Sequence, residues 1–131
     1  MILEYGVVTF LKSVDVIAQA TNSQIYGIIR PQGPRPLPEI LITRTQTTRQ
    51  DKFCGQDPLV NADMQIDVYG IGAQEAMDLA RQVKFALRNF SGTMGDTPVQ
   101  KVFLSNEFPV FDPDPGTIRI TQTYNFWYSE D

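Results

Sequence analysis

The residues best suited to chemistry in this 131-residue chain are a few carboxylates. Asp112 and Asp114 stand two apart in the run Asp-Pro-Asp-Pro-Gly, which resembles the start of a calcium-binding loop. Two prolines and the lack of a later bidentate glutamate spoil the match, so a proline-stiffened hairpin tip is favoured. Asp63 and Asp67 lie four apart on one face of a predicted strand. We interpret that face as solvated rather than as an acid–base pair.

Other catalytic groups are scarce. The chain has no histidine, which removes the commonest general base and metal ligand. Cys54 is the single cysteine, so neither an intrachain disulfide nor a metal site of paired cysteines can form. The run Gly70-Ile71-Gly72 lacks the third glycine of a dinucleotide-binding turn. We therefore predict no catalytic residue, cofactor or metal, and no enzymatic activity.

Hydrophobic periodicity predicts the elements that carry these residues. Strict alternation over 59–69 predicts a strand with one buried and one solvated face, as in antiparallel sheets. Four prolines between residues 31 and 38 predict a stiff extended connector. The predicted elements are a helix over 3–20, strands over 39–48 and 59–69 that form a hairpin, a helix over 73–90, and strands over 99–105 and 117–128.

These elements predict a single α+β domain over residues 1–131. We expect a mainly antiparallel or mixed sheet of four to five strands, two helices packed on one face, and a long protruding hairpin. The hydrophobic share of 42% and the charged share of 20% are ordinary for a folded protein. The N-terminus lacks the pattern of a signal peptide and no segment approaches transmembrane length, so we expect a soluble, cytosolic product.

Charge is unevenly distributed along the chain. The net charge of −4 argues against a surface dedicated to gripping nucleic acid. The middle of the chain is nevertheless basic, with cations at Arg30, Arg35, Arg44, Arg49 and Lys52. The C-terminal part from residue 107 onward is acidic, with Arg119 as its single cation. The chain thus offers two oppositely charged regions to a partner.

Three strings in order carry a resemblance to a known family. They are IYGIIRPQGPRPLPEILI, IDVYGIGAQEAMDLARQVKFAL and DPDPGTIRITQTYNFWYSE. Their order and content resemble the tail completion, or tail terminator, proteins of long-tailed bacteriophages, over about residues 24 to 131. Where that family usually has Asp-Pro-Asp-Thr-Gly, this chain has a second proline, Pro115, which stiffens the turn.

The resemblance implies a structural role in the neck of the virion, in a particle assembled in the host cytoplasm. It implies a ring, commonly of six subunits, that sits on the last disc of the tail tube and stops its growth. The ring would join the tail tube protein to the head completion or connector protein. DNA would pass through the hole without sequence-specific binding, and no membrane is involved.

Head-to-tail contacts in a closed ring need two different, complementary patches on each subunit. We hypothesise that the basic middle of one subunit meets the acidic region of its neighbour. The residues of this hypothetical interface are Arg44, Arg49, Lys52 and Phe53 on one side and Glu107, Asp112 and Asp114 on the other. Two alternatives remain open: a small ligand-binding or regulatory module with an apolar pocket, and an enzyme using Asp63 and Asp67.

Overall fold

The computed structural model describes residues 2–29, 38–49, 59–70, 72–88, 90–112 and 117–129. Within these ranges the helices are α1 (Leu3–Lys12), α2 (Asp15–Thr21) and α3 (Ala73–Leu87), and the strands are β1 (Ile25–Gly27), β2 (Glu39–Arg49), β3 (Leu59–Gly70), β4 (Gly92–Met94), β5 (Thr97–Asp112) and β6 (Thr117–Ser129). The strands form one mixed sheet in the order β1-β2-β3-β6-β5-β4. The fold is α+β, as predicted.

The centre of the sheet is antiparallel, and its register follows the alternating pattern. β3 pairs with β2 on one side, which confirms the predicted hairpin, and with β6 on the other. β1 adds to β2 in the parallel direction. One face of the central strands is mainly apolar and buried, and on β3 it comprises Val60, Ala62, Met64, Ile66 and Val68. The predicted core face of β3 is therefore confirmed.

Helix α3 covers that buried face with the apolar stripe that its sequence predicts. The buried positions are Ala76, Leu79, Ala80, Val83 and Leu87, and the helix contacts β3 and β6. Opposite them in the sheet, Tyr124 and Phe126 of β6 are completely buried. Their rings meet edge-on with centroids 6.4 Å apart, a favourable aromatic geometry.

Helix α1 joins the two edges of the sheet. It contacts β1 and β2 near one edge and β4 at the other, so the sheet curls around it. The approach to β4 is very close: a Cβ atom placed on Gly6 would lie 2.7 Å from the carbonyl oxygen of Met94. At the other edge, a Cβ on Gly27 would lie 3.1 Å from the ring of Tyr5. The missing side chain of Gly6 allows α1 to approach β4, and that of Gly27 allows β1 to approach α1.

The first predicted helix is two helices in the structure. α1 ends at Lys12 and α2 begins at Asp15, with Val14 in an extended conformation between them. The Ser13 hydroxyl donates a hydrogen bond to the carbonyl of Phe10, which competes with continued helical bonding. The break lets Leu11 and Ile17 both reach the core, where each is buried.

The sheet is also larger than predicted. β5 runs from Thr97 to Asp112, well past the predicted end at 105, because it pairs with β6 along its whole length. β1 and β4 are short edge strands that the sequence analysis did not include as strands. The helix predicted over 73–90 ends at Leu87, and Gly92 belongs to the edge strand β4. These differences raise the described sheet to six strands and the described helices to three.

Candidate assembly surfaces

Arg44 of the hypothetical basic patch is bound within its own chain. Its Nη2 atom lies 2.7 Å from Oε1 of Glu4 in α1, and its Nη1 donates to the Tyr128 hydroxyl at 3.1 Å. The two charged side chains are only 21% and 11% exposed, for Arg44 and Glu4 respectively. The guanidinium also lies over the Tyr128 ring, 5.6 Å from its centroid. Arg44 thus ties β2 to α1 and β6, and removing it would leave a nearly buried carboxylate without its cation.

Glu107 of the hypothetical acidic patch also has partners in its own chain. Its Oε1 atom lies 3.0 Å from Nζ of Lys84 in α3, and its Oε2 accepts a hydrogen bond of 2.6 Å from Nε2 of Gln122. Burial by itself would raise the pKa of Glu107, but the hydrogen bonds from Gln122 and Lys84 and the charge of Lys84 outweigh it and lower the pKa. Glu107 is therefore held ionised against α3.

A pH dependence of stability follows from this pair. The folded-state pKa of Glu107 lies below its ordinary value of 4.5, so its contribution is present above that pH and is lost as the pH falls through the folded-state pKa. Glu107→Gln removes this titration, and Lys84→Met removes the hydrogen bond and the charge by which Lys84 lowers the pKa of Glu107. Each variant should flatten the acid side of the stability profile by less than about 1 kcal/mol, because the pair is about one-third exposed.

The measurement is the free energy of unfolding in urea between about pH 3 and pH 6. Lys101→Met is the matched control, since Lys101 lies over the Phe103 ring rather than beside Glu107. It should leave the pH profile unchanged. A Lys84→Met profile that coincides with that of the unmodified protein would contradict the assignment.

Behind Glu107 lies a buried polar network that the sequence analysis missed. Gln122 and Tyr124 are both 0% exposed, on the core face of β6. The amide Nε2 of Gln122 donates to the carbonyl of Ala80 in α3 at 3.0 Å, and its Oε1 accepts from the Tyr124 hydroxyl at 2.8 Å. Burial, and secondarily the charge of Glu107, raise the pKa of Tyr124. The available signal was a glutamine at a core-facing position of an otherwise apolar strand face.

The opposite face of the sheet is polar, but it is less solvated than expected. Asp67 is only 4% exposed, which contradicts the predicted solvated position. Its carboxylate accepts hydrogen bonds from Thr121 at 2.8 Å and from Gln65. Asp63 accepts from Asn125 at 2.8 Å, and Asn125 is also hydrogen-bonded to Asn61. Side chains on neighbouring strands satisfy one another here, which allows carboxylates to sit in a partly buried sheet face.

The hydrogen-bond donors to Asp63 and Asp67 are neutral: amides for both carboxylates, and in addition a hydroxyl for Asp67. Across the described ranges, no three His, Cys, Asp or Glu side chains come together in a way that could hold a metal ion. Nor is any helix in those ranges long and apolar enough to cross a membrane.

Five of the seven residues of the hypothetical interface lie wholly or partly outside the described part of the chain. Arg49 and Asp112 lie at the ends of β2 and β5, and their side chains fall outside what the structure describes. Lys52, Phe53 and Asp114 lie outside the described residues altogether. The structure does not bring Arg44 and Glu107 of one chain together, since β3 and β6 separate their strands.

A further apolar surface lies on the outer side of α3. Met77 and Phe85 are each 61% exposed, two helical turns apart. They border a groove of about 560 Å³ between α3 and the β5–β6 hairpin, with Pro109 and Ile120 on its other side. The guanidinium of Arg81 lies 5.5 Å from the centroid of the Phe85 ring.

A comparison with known protein families identifies the class of the protein. A sequence model of the family described as tail completion protein gp17 matches residues 6–129, so the chain belongs to that family. It is therefore a structural protein of a phage tail, located in the tail and neck region of the virion. The predicted family resemblance is thereby confirmed.

Solved structures show the same fold in distant sequences. A chain from the virion of a native gene transfer agent particle superposes with a TM-score of 0.81 at 16% identity, covering 97% of this chain and 94% of that chain. A second solved chain has a TM-score of 0.67 at 14% identity, covering 100% of this chain and 98% of that chain. Among curated proteins, none matches this sequence.

Proposed function

We propose that this protein forms a hexameric ring that caps the tail tube, ends its polymerisation and offers a joining surface to the head connector. Membership of the tail completion family over residues 6–129 is the observation that carries the proposal. The fold is compatible with it, because the two sides of the sheet end in different strands, as head-to-tail contacts require. In this proposal residues 1–131 act as one domain, and the partners are further copies of the chain, the tube protein and the connector protein.

The negative net charge of the chain is compatible with a channel that DNA passes through without being bound. A net charge of −4 per subunit multiplies around a ring, so the collar as a whole repels the phosphate backbone. DNA would therefore pass through the hole without sequence-specific binding.

The test of the capping function uses the purified protein with its tube protein. Tubes polymerised in its presence should have blunt, capped ends by negative-stain microscopy, and tubes made without it should be longer and variable in length. If uncapped tubes have the same length distribution as those made with the protein, the proposal fails. A monomer whose melting temperature rises with a small ligand would instead favour the ligand-binding alternative.

We also propose that oppositely charged residues contribute to the ring contact. Arg44 and Glu107 are left unchanged in the test because both are paired within their own chain. Reversing the charge of Arg44, for example, would leave Glu4 without its cation and destabilise the fold. The pair Arg49→Glu and Lys52→Glu should weaken the ring, so that it dissociates at a higher protein concentration than the unmodified ring does. Combining it with Asp112→Lys and Asp114→Lys should restore assembly.

Analytical ultracentrifugation over a range of salt concentrations measures this effect, which screening should reduce at high salt. Lys12→Glu is the matched control, since Lys12 is an exposed cation at the end of α1 and belongs to neither charged segment. If the charge-reversed pair assembles like the unmodified protein at low salt, the electrostatic contact is wrong.

A further inference from the structure

Two strand edges of the sheet are open over part of their length. β4 pairs with β5 only at residues 97–99, so no described strand covers the outer edge of β5 from Gln100 onward. β1 pairs with β2 only at residues 40–42, so the outer edge of β2 from Thr43 to Arg49 is also uncovered by any described strand. Open edges present unpaired backbone N–H and C=O groups, which are a template for another strand.

The open stretches of β2 and β5 lie at the same position along the strand direction. The registers connect Arg44 through Met64 and Tyr124 to Leu104. In the same way, Gln46 is connected through Asp63 and Asn125 to Phe103. The open part of β2 is thus level with residues 101–106 of β5, on the opposite side of the sheet.

Strand direction also suits a contact between two copies. Because β2, β3, β6 and β5 are successively antiparallel, β5 runs opposite to β2. A second copy placed beside the first in the same orientation therefore sets its β2 edge antiparallel to the β5 edge. Such a contact continues the alternation of the sheet and joins two unlike edges, which is the head-to-tail geometry of a ring.

Side-chain chemistry favours the same occupant. Pro109 has no N–H to offer an incoming strand, so pairing along β5 would run over residues 101–108. Phe103 and Phe108, 47% and 42% exposed, lie along this stretch and would lose solvent exposure in the contact.

We propose that the β5 edge at residues 101–108 pairs with the β2 edge at residues 43–49 of a second copy of the chain. The sheets of neighbouring subunits then join through backbone hydrogen bonds. This inference rests on the proposed ring and names the surface that closes it.

Disulfide trapping tests the pairing. In a Cys54→Ser background, Phe103→Cys is combined in turn with Thr43→Cys, Thr45→Cys and Gln46→Cys, which sample the possible registers. Directly opposed residues on paired strands have Cα atoms about 4.5–5.5 Å apart, within the range that a disulfide spans. Within one chain, three strand spacings of about 4.8 Å separate these positions, so an intrachain bond cannot form.

The expected result on mild oxidation is a ladder of covalent oligomers that ends at the ring number for at least one register. Single-cysteine variants mixed in pairs should give only dimers. Phe103→Cys combined with Phe85→Cys is the matched control: Phe85 is exposed on α3 rather than on an edge, and this variant should give no ladder.

The outcomes separate the inference from the proposed function. If rings are visible by microscopy but none of the three registers gives a ladder, edge pairing is wrong and the ring stands. If the Cys54→Ser parent forms no ring alone or on tubes and no ladder appears, the ring itself is contradicted. A disulfide-linked dimer formed by a single-cysteine variant on its own would indicate a two-fold contact and would also overturn the proposal.

Discussion

Replacement of Gln122 by leucine is expected to lower the free energy of unfolding by about 1–3 kcal/mol, although leucine is more hydrophobic and similar in size. Gln122 is completely buried and bonds three partners, namely Ala80, Glu107 and Tyr124. Without its amide, the buried Tyr124 hydroxyl loses its acceptor. The cost of leaving that group unpaired exceeds the gain from burying an apolar side chain. Equilibrium unfolding in urea measures the difference.

Tyr124→Phe provides the second arm of a double-mutant cycle. The single change leaves Oε1 of Gln122 without its donor and should also destabilise the protein. The double variant removes both members of the hydrogen bond, so it should be less destabilised than the sum of the two single variants. Strict additivity would mean that the two side chains do not depend on each other, in conflict with their 2.8 Å contact.

Replacement of Gly6 by valine is the second change with a large expected effect, a loss of about 1–3 kcal/mol. Glycine is a poor helix former, so α1 taken alone would gain from the substitution. In the folded chain, however, the new Cβ would lie 2.7 Å from the carbonyl oxygen of Met94, and a backbone atom cannot move aside as a side-chain end can. The helix and β4 would have to separate, which opens the contact that closes the curled sheet.

Gly72→Ser is the control for the Gly6 variant. A Cβ at Gly72 meets nothing within 4 Å, and serine is a preferred residue at this helix N-cap. Its unfolding free energy should equal or slightly exceed that of the unmodified protein. An unchanged or raised stability of Gly6→Val would show that α1 does not lie against β4.

Sequence patterns were reliable where they report burial on a single element. Alternation in β3 and the stripe on α3 identified their buried faces because each pattern repeats with the period of its own backbone. The break near Ser13 was missed, since an apolar stripe continues across it and Ile17 beyond the break is still buried. The extension of β5 to Asp112 was missed because its pattern is broken by a bulge beside Ser105 and by Pro109.

The candidate interface divides in the same way. The unequal distribution of charge can be counted along the chain, and it suggested two complementary patches. The intramolecular ion pairs of Arg44 and Glu107 could not be predicted from the distribution of charge. Their partners, Glu4 and Lys84, lie far from them in sequence and come close only in the folded chain. The open edges of β2 and β5 depend on strand order, which no local pattern encodes.

The sequence by itself determined the tail completion family, which the order of its motifs suggested and the family match over residues 6–129 showed, and its local periodicity predicted an α+β fold. Tertiary structure alone decided that α1 bridges the two edges of a curled sheet, that Asp67 and Gln122 are buried, and which strand edges have no neighbouring strand among the described residues. The physical reason is that local periodicity records which side of an element avoids water. Pairing order, close backbone approach and buried hydrogen bonds arise between residues distant in sequence, and they exist only once the chain has folded.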